Sequence, residues 1–313
     1  MAVHLYTHTS ALQHDTGSRH PENMRRITRI HEIFRHEPYN HWPQYWDMES
    51  GSLNDICLAH SRDYHDWLAH HVPERATRPI NPDTIMGPES MIAAHDAVGC
   101  VRQAVRDVAK GESKRAFCAV RPPGHHAMPD DSMGFCLFNN IFIGARLLQE
   151  DHGHQRIAIV DFDVHHGNGT QAMTHLAGDI LYVSSHQWPF YPGTGAPEEQ
   201  VPGRIVNGTL NEGAGGREFR ELYNDHLLPA LENFRPEMLL ISAGFDAHER
   251  DPLGGLNLDG EDFAWVTEQL AAIADTYCEG RIVSVLEGGY DLDGLEDGLC
   301  AHLNALQPTY RRF

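Results

Sequence analysis

The octet Asp161-Phe162-Asp163-Val164-His165-His166-Gly167-Asn168 comes directly after the apolar run Ile157-Ala158-Ile159-Val160. Carboxylates and an imidazole placed where a buried strand runs out are costly to desolvate unless a cation offsets them. Successive side chains of a strand point to opposite faces, so Asp161, Asp163 and His165 are expected on one side and Phe162 and Val164 on the other. Carboxylate oxygen with imidazole nitrogen suits Zn²⁺ or a similar divalent ion, which needs a further ligand from elsewhere. Asp246, reached through Gly244 after the apolar run Leu239-Leu240-Ile241, supplies it. Asp163, His165 and Asp246 then leave a position open, the pattern of catalytic rather than structural zinc. Fe²⁺ could occupy the same ligands in cells. The plainer alternatives are an Asp/His-rich surface loop and, for Asp246, a helix N-cap.

His125 and His126 come after Arg121-Pro122-Pro123-Gly124, whose prolines and glycine fix the backbone ahead of them. A turn there can aim both imidazoles at one cavity, where they could serve as general base and general acid beside a metal. Asp161 could accept a hydrogen bond from one of them and raise its basicity, while Asn168 orients the other without adding charge. Tyr290, after Glu287-Gly288-Gly289, could place a phenol against a developing oxyanion. Gly134-Phe135-Cys136 and Phe190-Tyr191-Pro192-Gly193 offer aromatic walls for a narrow channel. The alternatives are buried, hydrogen-bonded histidines and a packing tyrosine. Of the 23 histidines, His65, His70 and His71 read as surface residues.

These residues need elements to hold them. Short apolar runs at 116–120, 156–160, 180–184, 238–242 and 282–286 read as strands. Helical periodicity covers 90–110, 140–150, 217–233 and 260–277. Continuous apolar strands separated by helices imply a parallel sheet covered on both faces. In such sheets ligands bind beyond the carboxyl ends of the strands. Each of the five expected strands delivers polar or glycine-rich groups to that edge: His125-His126, the octet, Ser184-Ser185-His186, Asp246 and Tyr290. With no repeat or long linker, residues 1–313 read as one α/β domain.

Composition narrows the function further. A net charge of −20 disfavours a nucleic-acid partner and favours approaching cations. Only Lys110 and Lys114 of the 24 basic residues are lysines, a skew that fits an acidic proteome equally well. No apolar stretch approaches the roughly 20 residues that span a bilayer, and the first residues lack a signal-peptide pattern, so a cytoplasmic location is expected. The six cysteines are scattered with no C-x-x-C pair, which argues against a zinc knuckle or a disulfide framework.

Taken together, the segments HPENMRRI (20–27), RPPGHHA (121–127), GFCLFNN (134–140), DFDVHHGNGTQ (161–171), FYPGTG (190–195), SAGFDAHERDPLGG (242–255) and LEGGYDL (286–292) resemble the histone deacetylase superfamily. That superfamily includes bacterial histone-deacetylase-like and acetylpolyamine amidohydrolases, and the class II branch is the nearer match. The resemblance implies an arginase/deacetylase fold with a central, mostly parallel sheet of about eight strands. It implies zinc on Asp163, His165 and Asp246, and catalytic roles for His125, His126, Asp161, Asn168 and Tyr290. Phe135 and Tyr191 match tunnel aromatics expected to face each other, and the Gly134 carbonyl matches an acceptor for the scissile amide N–H. A structural K⁺ is implied near Asp161, Asp163, His165, Ser184 and Ser185.

Two departures bear on the substrate. Tyr191 stands where Phe is usual, and Leu253 lies where polyamine-selective relatives carry a gatekeeping Glu. The resemblance therefore implies a zinc-dependent amidohydrolase for an acylated primary amine, either an acetyl-lysine-type side chain or a small acylamide. An acetylpolyamine amidohydrolase is the alternative with the same mechanism. A ureohydrolase would need further Asp ligands that the octet does not offer, and a non-catalytic acyl-lysine-binding protein would not need Tyr290. A homo-oligomer stays open.

Overall fold

The computed structural model describes residues 2–308. Its strands are β1 (His4–Thr7), β2 (Gln44–Trp46), β3 (Arg78–Pro79), β4 (Ile85–Met86), β5 (Arg115–Ala119), β6 (Ile157–Asp161), β7 (Ile180–Gln187), β8 (Ile205–Leu210), β9 (Met238–Ala243) and β10 (Ile282–Leu286). One 8-stranded sheet runs in the order β2-β1-β5-β10-β9-β6-β7-β8, with every neighbouring pair parallel. β3 and β4 form a separate antiparallel hairpin. The α-helices are α1 (Met24–Arg35), α2 (Leu53–Ile56), α3 (Arg62–His71), α4 (Ser90–Ala109), α5 (Asn140–His152), α6 (Asn168–Leu176), α7 (Gly216–Leu222), α8 (Leu228–Phe234), α9 (Gly260–Tyr277) and α10 (Leu292–Leu306).

The strands are apolar throughout because both faces of the sheet are covered. Along β9, Leu239 and Ile241 join the core that Ile27 and Ile30 of α1, Phe263 and Leu270 of α9 and Leu299 of α10 complete. Met238 and Leu240 face the other way, into the core with Ala97 and Val101 of α4 and Ile141 and Leu148 of α5. The parallel sheet, its eight strands and its single-domain α/β architecture agree with expectation.

Several boundaries differ. In the main sheet β1, β2 and β8 lie outside the expected set, as do both strands of the β3–β4 hairpin. The first two are short, and Asn207-Gly208 inside β8 reads as a turn signal. Gly208 is instead a close contact, since a Cβ there would lie 3.0–3.1 Å from Leu222 and Leu227 atoms. The helix expected over 217–233 is interrupted by a π-helical turn at Tyr223–Leu227. Pro229, in the first turn of α8, has no N–H to continue a regular ladder. Helices α1, α2, α3, α6 and α10 are additions to the expected set.

At the octet the strand stops at Asp161, so strand alternation does not carry Asp163 and His165. The backbone bends instead, with Asp163 N–H donating to Asp161 Oδ1 at 3.2 Å and His165 N–H to Asp163 Oδ1 at 2.9 Å. Phe162 and Val164 do face the core as expected. Ser184 and Ser185 lie inside β7 rather than beyond it, with Ser184 in register with Asp161. His65 is not a surface residue: it is half-buried, its Nε2 3.1 Å from Nε2 of His95. All six cysteines are free, and Cys100, Cys118, Cys136 and Cys278 are buried.

Candidate active site

The carboxyl ends of β5, β6, β9 and β10 are neighbours in the sheet, which brings the loops after them to one place. Asp163, His165 and Asp246 converge there, each offering one ligand atom, with all three atoms within 4.8 Å of one another. His165 Nδ1 is 3.1 Å from Asp163 Oδ1 and 3.1 Å from Asp246 Oδ2. Two glycines make the space. A Cβ on Gly244 would fall 2.0 Å from Asp163 Oδ2, and one on Gly288 would fall 2.0 Å from Asp246 Oδ2.

The electrostatics of this cluster call for a cation. Burial and the Asp163 charge push the Asp246 carboxyl up to about 7. Burial opposes ionisation of Asp163 as well, yet His125 and His165 hold it far below the usual carboxylate range. Buried carboxylates that share one imidazole, in glycine-lined space, fit a divalent ion bound by oxygen and nitrogen donors.

The histidine pair sits beside the cluster with its ring centroids 4.0 Å apart. His125 Nδ1–H donates to Asp161 Oδ2 at 3.0 Å, and its Nε2 lies 3.8 Å from Asp163 Oδ2. Burial alone would lower its pKa, but Asp163, Asp161 and Glu287 outweigh it and hold the imidazole cationic, well above 6.5. His126 is the opposite case. Burial, then the neighbouring His125 and His165, hold it well below 6.5. Its Nδ1–H donates to Asn168 Oδ1 at 2.7 Å, which leaves Nε2 with a free lone pair.

Above these groups lies a cavity of about 550 Å³ lined by His126, His165, Gly134, Phe135, Phe190, Tyr191, Leu253 and Tyr290, with Asp83, Gln187 and Glu212 among its other residues. Phe190 stacks on His165 at 5.5 Å, and Tyr191 stands edge-on to His126 at 5.4 Å. Phe135 meets Tyr290 edge-on at 5.8 Å. Gly134 is pressed against His126, where a Cβ would fall 2.2 Å from the ring, and its carbonyl accepts from the Cys136 thiol at 3.3 Å. All the expected site residues except the potassium serines therefore reach the cavity or the groups beneath it. Of those serines, Ser184 Oγ bonds His186 Nδ1 at 2.9 Å and Ser185 Oγ bonds Tyr223 Oη at 3.1 Å.

Four supporting residues carry no signal of their role in the sequence. Glu287 Oε2 accepts from the backbone N–H of Gly124 at 2.7 Å and of His125 at 3.1 Å, fixing the turn that carries the histidine pair. Asp251 Oδ2 accepts from Tyr290 N–H at 2.6 Å. Arg26 lies over the Tyr290 ring at 4.9 Å and donates to the Gly289 carbonyl at 2.6 Å. Glu22 pairs with Arg121 and, at 3.1 Å, with Arg26. Each lies inside a matched segment, but its partner is distant in sequence. Asp83 is a fifth, and no motif marks it.

A buried Asp-His-Asp cluster and a histidine pair at the carboxyl edge of a parallel sheet, beneath an aromatic-walled cavity, define a hydrolytic α/β protein of the deacetylase class. The chain belongs to the histone deacetylase family: the pattern of the histone deacetylase domain matches residues 20–306. It is 41% identical over 244 residues to Type-2 histone deacetylase 2 of Dictyostelium discoideum, a match that takes in 72% of this chain and 14% of that protein. It is 33% identical over 302 residues to a probable deacetylase of Archaeoglobus fulgidus, spanning 94% of this chain and 83% of the relative. The solved HDA15 HD domain superimposes with a TM-score of 0.89 at 29% identity, over 98% of this chain and 90% of the other. Among the described residues no helix is long and apolar enough to cross a membrane.

Proposed function

We propose that the chain is a zinc-dependent deacetylase that hydrolyses the amide of an acylated primary amine, acetyl-lysine-type or a related small acylamide. One observation carries this reading: adjacent buried imidazoles, one hydrogen-bonded to Asp161 and the other to Asn168, stand beside a three-donor cluster at the floor of an aromatic-walled cavity. Asp163, His165 and Asp246 would hold Zn²⁺, and Fe²⁺ suits the same donors. When bound, the ion supplies Lewis-acid polarisation of the amide carbonyl and lowers the pKa of the attacking water to about 7.

The chain's own groups do the rest. His126 Nε2, unprotonated and facing the cavity, takes the proton from water and, as the imidazolium, returns it to the leaving amine nitrogen. His125 stays cationic on Asp161 and stabilises the anionic character that develops beside it. The Tyr290 hydroxyl donates to the oxyanion, and the Gly134 carbonyl has a lone pair left for the amide N–H of the substrate. Phe135, Tyr191 and Leu253 line the passage that a methylene chain threads. A K⁺ near Asp161, Asp163, His165, Ser184 and Ser185 belongs to the same reading, supported by the pairing of Asp161 with Ser184 across β6 and β7. So does a cytoplasmic catalytic domain spanning 1–313 that acts on acylated amines rather than on nucleic acid or membrane.

Leu253 offers no charge to a second ammonium group. Asp83 is already engaged by Tyr191 and Gly134, which leaves Glu212 as the acidic group of the lining, and the overall −20 is screened beyond about 10 Å. Acetyl-lysine peptides are therefore expected to be hydrolysed at least as efficiently as acetylspermidine. A panel of acetyl-lysine peptides, acetylputrescine, acetylspermidine and longer acyl-lysines tests this. A kcat/KM for acetylpolyamines a hundredfold above that for acetyl-lysine would reject the gate argument in favour of the polyamine alternative. Absence of hydrolysis across the panel by zinc-loaded protein would reject the enzyme reading itself.

A further inference from the structure

Tyr191 carries a hydroxyl that the usual phenylalanine lacks, and in this structure the hydroxyl has a partner. It donates to Asp83 Oδ2 at 2.6 Å. The other oxygen of Asp83 accepts from the Gly134 N–H at 3.1 Å and from the Thr84 hydroxyl at 2.8 Å. Thr84 Oγ1 in turn accepts from the Phe135 N–H at 3.3 Å. The turn bearing Asp83 links β3 to β4, and Asn81 ties it down by donating to the Ser132 carbonyl at 2.6 Å. One carboxylate thus joins three segments distant in sequence: the 81–84 turn, the Gly134-Phe135 wall and Tyr191 on the opposing loop.

The position of Tyr191 gives this linkage a consequence. Its ring edge meets both His126, at 5.4 Å, and His165, at 5.8 Å, while its hydroxyl reaches across to Asp83. The side chain is 38% exposed, so little packing on its outer side opposes rotation away from the histidines. A phenylalanine there would be held only by its contact with the imidazoles. A hydrogen bond to a carboxylate is the stronger, charge-assisted kind and fixes the ring's orientation as well as its place.

We propose that the Tyr191–Asp83 hydrogen bond is a specificity-determining clasp that holds the cavity mouth narrow, so that it admits acyl amides of unbranched amines and excludes those branched next to the amide nitrogen. The proposal rests on the deacetylase reading for its substrate class, but the clasp itself stands on the hydrogen bonds. Tyr191 is a positioning residue here, since its hydroxyl acts through the ring it orients.

The test uses two acetyl substrates that differ only in the leaving amine, an acetyl-lysine peptide and the same peptide branched at the carbon bearing the acetamide. Tyr191→Phe removes one oxygen and keeps the ring. The ratio of kcat/KM, branched over straight, should rise at least tenfold in Tyr191→Phe and in Asp83→Ala, with no further rise in the double variant. An unchanged ratio in Tyr191→Phe would overturn the proposal. Thermal unfolding of the same four proteins gives a readout that needs no activity. The Tm losses of the two single variants should sum to more than the loss in the double variant, because each single variant already removes the Tyr191–Asp83 bond. Additive losses would overturn the clasp whatever the substrates do. If the wild-type protein turns over neither peptide while the Tm losses are coupled, the deacetylase reading fails and the clasp survives.

Discussion

At the scale of residues, two consecutive histidines with the same side chain are pushed in opposite directions by their surroundings. Asp163, Asp161 and Glu287 raise His125 against its burial, whereas burial and the neighbouring His125 and His165 lower His126. Asp161 offers His125 a charge, whereas Asn168 offers His126 an acceptor of the same geometry without one. Burial, and then proximity to His125 and His165, keeps the pKa of His126 low. A neutral imidazole with its lone pair facing the cavity is the group equipped to take a proton. Replacing His126 by Ala is expected to lower kcat by a factor on the order of 10²–10⁴. Elemental analysis should find the metal content unchanged, since His126 is no part of the Asp163, His165 and Asp246 cluster. Turnover close to that of the wild-type protein would sink the assignment.

At the scale of elements, the strands bring loops together and a few buried ion pairs hold those loops in place. Glu22, just before α1, is wholly buried and accepts from Arg121 beyond β5 and from Arg26 within α1. Arg26 continues to the Gly289 and Glu287 carbonyls beside Tyr290. Burial alone would push the Glu22 carboxyl up, but Arg121 and the other surrounding cationic groups hold it far below the usual range. Glu22→Gln preserves shape and removes the charge, leaving Arg26 and Arg121 buried without a carboxylate. A loss of about 3–5 kcal/mol is expected, read from urea unfolding. A loss under about 1 kcal/mol would mean that the backbone carbonyls satisfy the two guanidinium groups unaided.

At the scale of the whole molecule, the unusual load of buried histidine makes stability depend on pH. Burial pushes His8, His31, His60 and His186 down to about 4, and His14, His166 and His302 down to about 3. His126 is also held well below 6.5. In the unfolded chain these imidazoles titrate near 6.5, so between about pH 4 and 6.5 the unfolded state binds their protons and the folded state does not. Their contribution is complete above about 6.5 and lost as the pH falls. Asp161, Asp246, Asp251 and Glu287, with carboxyls pushed up mainly by burial, act in the opposite sense over part of this window. Eight histidines against four carboxyls leave a net loss on acidification, at about 1.4 kcal/mol per pH unit for each uncancelled proton. Glu22, depressed in the folded state, adds to the loss at the acid end of the window, where its unfolded carboxyl begins to take up a proton. The metal-free protein should therefore lose several kcal/mol between pH 6.5 and 4.5, measured as a fall in urea midpoint. A midpoint that stays level across that range would show that the histidines reach water in the folded state.

The amino-acid sequence alone determined the strands that are buried on both faces and the chemistry delivered at their ends. Continuous apolar runs such as Leu239-Leu240-Ile241 are unmistakable because a covered strand has no polar face. Asp163, His165, Asp246, His125, His126 and Tyr290 were legible because each lies within a few residues of the end of such a run. Features without a local signal became visible only in three dimensions. β8 was hidden by an Asn-Gly pair whose glycine serves packing against Leu222 and Leu227. The bend over 163–165 depends on side-chain carboxylates capturing backbone N–H groups, which strand periodicity does not encode. Glu287, Glu22 and Asp83 hold backbone or side chains up to 163 residues away along the chain. Periodicity and spacing report which face a residue takes and which groups a strand delivers at its end. Which carboxylate meets which distant donor is decided only when the sheet order sets one loop beside another.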